Sequence, residues 1–351
     1  MRGARFLLLV LFWFYLTGSL TGCLQLHYLT QAAAGQEQLN SAGVDVSEIV
    51  EGEHLDKRTR DLLAHVAKIK AFGERYGLKR TNNYERYINI RRPAVVWVVS
   101  ACQPLAFRPQ VWKFPIVGSI TYTGWFDKKE AQAYGESLKK RGWDVDVRPS
   151  PAYSTLGWFD DPILSTMISP EDDALGDLAD VILHETLHAT FYVPNQSTLN
   201  ESVASFFGDN LAVKYLDETL GPDSPEKKSF IEHREKGEER GNIMKQAYAE
   251  LAKVYAQRSK PREERFAEKQ VIIDQLRHDL KTKRQINNAS LIQFKTYGSG
   301  KAELKQLFEM CGSDFPRYLK TLDRLRPSTK TAPPHSDPAV LLQPLIAEGC
   351  L

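Results

Sequence analysis

The segment His184-Glu185-Thr186-Leu187-His188 constrains this chain more than any other stretch of it. Two histidines four residues apart on a helix leave the same face one turn from each other, so both imidazoles can reach a single divalent ion. Glu185 leaves on an adjacent face, close enough to hold a water that the ion also holds. The flanks, Asp180-Val181-Ile182-Leu183 and Thr190-Phe191-Tyr192-Val193, are largely apolar. A histidine pair buried in such a helix needs partners for its ring nitrogens, and a metal ion is an efficient one.

A helix is therefore predicted from about Pro170 to Phe191, with Ser169 as N-cap, Pro170 in the first helical position and Asp172 at the capping-box site. Pro194 and Asn195 end it. Thr198 can cap a second helix from about Leu199 to Leu220, closed by Gly221-Pro222. A catalytic metal site needs a third protein ligand and one open position. Glu201, in Asn200-Glu201-Ser202-Val203-Ala204, stands in the first turns of the second helix. Alone it reads as a carboxylate favouring a helix N-terminus. Behind the histidine motif it reads as the third ligand, because an antiparallel helix pair brings it against His184 and His188.

Elsewhere the pattern is mixed. From Ser41 to Tyr76 the spacing of Ile49, Leu55, Leu62, Leu63, Val66, Ile69 and Phe72 approximates one helical stripe ending near Gly73 and Gly77. Ala94 to Ser100 is a β-branched run that reads as a buried strand. Gly118 to Gly124 alternates as a strand does, and serves either as a core strand or as an edge along which an extended peptide lies. Lys128 to Lys140 reads as a helix and Trp143 to Val147 as another strand. Residues 225–286 are rich in Glu, Lys, Arg and Ala and broken at Pro261, which predicts a solvated hairpin of two charged helices. Further helices are expected at Ala302 to Met310 and Phe315 to Leu325, and the tail from Pro327 is rich in Pro, Ser and Thr.

The N-terminus carries Arg2 and Arg5, then the apolar run from Phe6 to Leu16, then Thr17-Gly18-Ser19-Leu20-Thr21-Gly22-Cys23, the three parts of a secretory signal. That run is shorter than the roughly 20 apolar residues of a membrane span. The chain holds 46 Lys and Arg against 44 Asp and Glu, and Arg2 and Arg5 account for the whole excess. The remainder is neutral with its charges interspersed, which argues against a nucleic-acid partner. Cys102, Cys311 and Cys350 cannot all pair with one another; one bridge can form, between an unspecified pair, and no Cys-x-x-Cys spacing supports a cysteine metal site.

Leu20-Thr21-Gly22-Cys23 resembles the bacterial lipobox, which implies cleavage before Cys23 and acylation of its thiol. Leu24 in the following position implies, by the same resemblance, a periplasm-facing protein lipid-anchored in the cell envelope at the outer membrane. HETLH followed by NESVA resembles the gluzincins, thermolysin-like metallopeptidases whose zinc is held by two histidines and a glutamate. Residues 152–162 (AYSTLGWFDDP) together with HETLHATFYV and NESVASFFG resemble a bacterial family of lipoproteins described as predicted aminopeptidases, with likeness extending from Cys23 through Asn287-Asn288-Ala289 and the Phe315 segment.

This resemblance implies a Zn²⁺-dependent peptidase acting on peptides, with His184, His188 and Glu201 on the metal and Glu185 as general base. Tyr153 is the candidate second donor to the oxyanion, or else an aromatic packed beside Trp158 and Phe159. The chain departs from thermolysin in a shorter gap between His188 and Glu201. It also carries Ser205 where thermolysin has an aspartate supporting a ligand histidine, leaving Asp180 or Asp209 as possible substitutes. The expected architecture is α+β, mainly α: a signal peptide over 1–22, a zincin-like domain over 23–326 with a small mixed sheet and the hairpin inserted at 225–286, and a loose tail over 327–351. The rival expectation is a structural or binding lipoprotein that keeps a metal site without catalysis.

Overall fold

The computed structural model describes residues 21–351 apart from 53–54, 115–117, 152–159, 296–297, 330 and 335. Helix α1 (Thr21–Ala42) leads to strand β1 (Val44–Asp45) and three short helices, α2 (Val46–Glu51), α3 (Lys57–Leu63) and α4 (Val66–Arg75). Strands β2 (Arg86–Ile88), β3 (Val96–Cys102), β4 (Trp112–Phe114), β5 (Gly118–Ile120) and β6 (Tyr122–Trp125) follow. Helix α5 (Lys128–Lys140) then precedes β7 (Asp144–Ser150) and β8 (Ile163–Leu164). The C-terminal half is helical: α6 (Ala174–Thr190), α7 (Ser197–Leu220), α8 (Pro225–Ala256), α9 (Arg262–Asp279), α10 (Asn288–Leu291), α11 (Lys301–Met310), α12 (Phe315–Asp323), α13 (Leu325–Ser328) and α14 (Pro338–Glu348). The architecture is mainly α with small mixed sheets.

Strand β3 is buried along its whole length and pairs antiparallel with β6 on one side and β7 on the other. One sheet face, with Trp97, Val99 and Val145, packs against Ala131, Tyr134 and Leu138 of α5. Asp127 caps α5 by accepting from Glu130 N at 2.9 Å. A second sheet joins β1, β2 and β8, with β2 and β8 parallel. The largest core lies among α4, α6, α7, α11, α12 and α14, where Leu178, Ile182, Leu187, Leu199 and Phe207 are fully buried. Each such side chain contributes roughly 2 kcal/mol relative to exposure, which fixes one face of α6 and leaves the opposite stripe for polar groups.

Five expectations are corrected. The stripe over Ser41 to Tyr76 is not one helix: β1 pairs with β2, and Asp56 starts α3 by accepting from Thr59 N at 2.9 Å. Gly118 to Gly124 divides between two sheets, β5 pairing with β4 and β6 with β3. Helix α6 begins at Ala174, not Pro170, because the Arg58 guanidinium donates to the carbonyls of Ser169 (2.9 Å) and Glu171 (2.7 Å) and holds that stretch outside the helix. The charged hairpin is only partly solvated. Leu251, Val254, Ile273 and Leu276 form a core of their own, and Lys269 joins Asp144 of the sheet at 2.5 Å. The tail is not loose: α14 buries Leu342 and Leu345, and Cys311 and Cys350 form a disulfide. Cys102 remains free and buried, and burial pushes its thiol up to about 12, which leaves it inert as a nucleophile.

Candidate metal centre

Helix α6 ends at Thr190, and the turn to α7 contains Asn195 at φ 63°. Asn200 secures this connection from inside: its Oδ1 accepts from Val193 N at 2.8 Å and its Nδ2 donates to Val193 O at 2.9 Å. The chain is thereby folded back one residue before Glu201. Deeper in the pair, Gly208 lets the helices approach, since a Cβ there would stand 2.2 Å from Asp180 Oδ1 and 3.2 Å from His184 Cβ.

His184 Nε2 lies 3.5 Å from Glu201 Oε2, and His188 Nε2 lies 3.5 Å from Glu201 Oε1. The ring centroids of the two histidines are 5.0 Å apart at 81°. One ligand atom from each of the three residues falls within 4.8 Å of the others. Nitrogen and oxygen ligands about 2.0–2.1 Å from a tetrahedral centre are separated by roughly 3.3 Å, which the two separations at Glu201 approach, so the donor set is one that could hold an ion such as zinc.

Electrostatics differ at each member. Burial opposes protonation of His184, but a hydrogen bond to Glu201 and the charges of Glu185, Glu201 and Asp180 outweigh it and raise its pKa. Burial lowers that of His188, with Glu201 opposing. Glu201 is held below the usual carboxylate range because His184 and His188 together overcome its partial burial. Glu185 is raised by burial and by Glu201 and Asp161, against His184.

Tyr122, Tyr84 and Asp177, around the centre, carry no local signal in the sequence. Tyr122 on β6, 55% exposed, senses both Glu201 and Glu185, and its surroundings and these charges raise its phenol. Tyr84, fully buried at φ 67°, donates its backbone N–H to Asp161 O at 2.7 Å and senses Glu185. Asp180, one turn before His184, accepts from Arg234 of α8 at 3.1 Å, and Arg234 also pairs with Asp209 of α7. Asp180 and Asp209 therefore meet on one arginine behind the candidate metal cluster. Asp177, one turn further back, is pushed up to about 6 by burial and by Asp173 and Asp180. Tyr153, with the rest of 152–159, lies outside the described residues.

A model of the family described as "Putative aminopeptidase" matches residues 27–333 of the chain. No curated protein matches it, and no solved structure does.

Proposed function

The chain belongs to the putative aminopeptidase family, and we propose that it is a zincin-like, zinc-dependent peptidase of gluzincin type. The observation that carries this reading is the convergence of His184, His188 and Glu201 with Glu185 beside them. When bound, zinc supplies Lewis acidity toward a peptide carbonyl and toward water. Glu185 accepts a proton from the attacking water as its oxygen bonds to the carbonyl carbon, then delivers that proton to the amine nitrogen as the C–N bond breaks. Tyr122 keeps its phenolic proton at neutral pH and can donate it as a hydrogen bond to the oxygen that gains charge. Tyr153 remains the other candidate for that role.

Metal analysis of the purified chain should find one zinc per molecule, lost in His184→Ala. Hydrolysis of a mixed peptide library should stop with chelator and return with zinc. A wild type that cleaves peptides while free of metal would sink the reading. Acetylated peptides cleaved as fast as free ones would remove the aminopeptidase specificity and leave an endopeptidase.

Lipid anchoring at Cys23 in the envelope is part of the same proposal. Among the described residues no helix is long and apolar enough to cross a membrane. The Cys311–Cys350 disulfide supports an exported protein, since such bridges persist in oxidising compartments. Cys23 falls in the first turn of α1, and α1 docks to the sheet soon afterwards, with Gln31 donating to Gly124 O at 3.2 Å and accepting from Phe126 N at 3.0 Å. The anchor would thus hold the domain close to the bilayer. Cys23→Ala should abolish incorporation of labelled palmitate and leave the precursor uncut; an equally labelled mutant contradicts the anchor.

A further inference from the structure

A cavity of about 360 Å³ opens between β7, the middle of α8 and the segment that follows α9. This is within the range that takes small ligands. Three arginines line it, Arg148, Arg240 and Arg284, against one aspartate, Asp146. Asp146 is already engaged: Arg284 Nη2 lies 2.7 and 2.9 Å from its two oxygens, and Arg148 Nη1 lies 3.5 Å from one of them. Arg240 is exposed and has no ion-pair partner among the described residues. The cavity is therefore cationic.

Ser290 supplies the second observation. It is 8% exposed and lines the cavity, and its Oγ, itself buried, has no hydrogen-bond partner among the described residues. A buried hydroxyl left so costs about 1–3 kcal/mol, which a turn about χ1 toward an acceptor in the cavity would relieve. Leu280 and Ile286 provide apolar wall beside it, suiting a carboxylate carried on an apolar stem.

The cavity shares a sheet face with Tyr122, the strand residue that senses the candidate metal cluster. Tyr122 and Asp146 stand opposite Ser100 on the two sides of β3, and Arg148 follows Asp146 by two residues on the same sheet face. Tyr122 senses the charge of Arg148 as well as those of Glu201 and Glu185. We infer that this cavity is the subsite for a carboxylate of the peptide substrate, with Arg240 and Arg148 supplying charge and Ser290 a hydroxyl donor. The identity of the ligand rests on the peptidase reading; the existence of the site does not.

Titration calorimetry on the Glu185→Gln chain follows binding without consuming peptide. Ala-Ala-Ala should bind at least about tenfold more tightly than its C-terminal amide, the size expected for charge-assisted hydrogen bonds at a partly open site. Arg240→Gln should bring the two within about twofold. Gly237→Leu should do the same by plugging the cavity: a Cβ at Gly237, which lines it, meets nothing within 4 Å, so the fold tolerates the change. Ala-Glu-Ala amide distinguishes the sources: tight binding assigns a side-chain carboxylate, weak binding a chain terminus, and either supports the site. N-acetylalanine should bind and lose affinity in Arg240→Gln even if the wild type cleaves no peptide, which separates failure of this inference from failure of the peptidase reading. Equal binding of acid and amide, or a preference that survives both substitutions, overturns it.

Discussion

Glu185→Gln is expected to lower peptide hydrolysis about a thousandfold, the middle of the range for a general base, while leaving one zinc per chain. The substitution preserves shape and removes only the ability to take a proton. The two outcomes separate because Glu185 is not among the three converging ligands, which are His184, His188 and Glu201. Its helix should be unaffected as well: α6 is anchored by Ile182, Leu183, Thr186 and Leu187, all buried. A mutant that keeps both zinc and activity would remove Glu185 from the chemistry. Loss of zinc along with activity would make it a ligand and reopen the assignment of Glu201.

The pair α6 and α7 was legible because its signals are local. A four-residue histidine spacing needs only helix geometry, and the Pro194-Asn195 stop predicts the reversal that brings Glu201 back. Strand β3 was legible for a related reason, since a strand buried on both faces reads as a near-continuous apolar run, broken here only at Ser100. What was hidden depends on partners distant in sequence. Ser169 and Pro170 have the chemistry of a helix start, yet Arg58, more than a hundred residues earlier, takes the carbonyls of Ser169 and Glu171. Tyr122 belongs to a strand segment whose neighbour across β3 is Asp146, and nothing in its own sequence points to Glu201. Arg234 reads in the sequence as one more charge on a mixed helix, but it pairs with both Asp180 and Asp209 behind the candidate metal cluster. A lone buried charge there would be costly, so the arginine is what permits two carboxylates so near His184.

Removing the Cys311–Cys350 bridge should have the largest effect on stability. The bridge closes a separation of 39 residues, and the chain-entropy relation gives about 4 kcal/mol for a loop of that size, against a whole-domain stability of roughly 5–15 kcal/mol. The double variant Cys311→Ala/Cys350→Ala should therefore unfold at a clearly lower urea midpoint, with a slope somewhat steeper than the wild type's because the uncrosslinked chain unfolds to a more expanded state. Those contacts reach the site. Gln196, in the turn between α6 and α7, donates to Pro333 O at 2.9 Å and accepts from Ser336 N at 3.0 Å. Ser202, next to Glu201, donates to Ser299 O at 3.4 Å. Loosening of the tail is thus expected to reach α7 before the rest of the fold opens, and zinc should dissociate faster from the variant than from the wild type at urea concentrations where both remain folded. Equal urea midpoints would show that packing of Leu342 and Leu345 alone holds the tail. A lower midpoint with unchanged zinc release would confine the bridge to global stability and separate the tail from the metal centre.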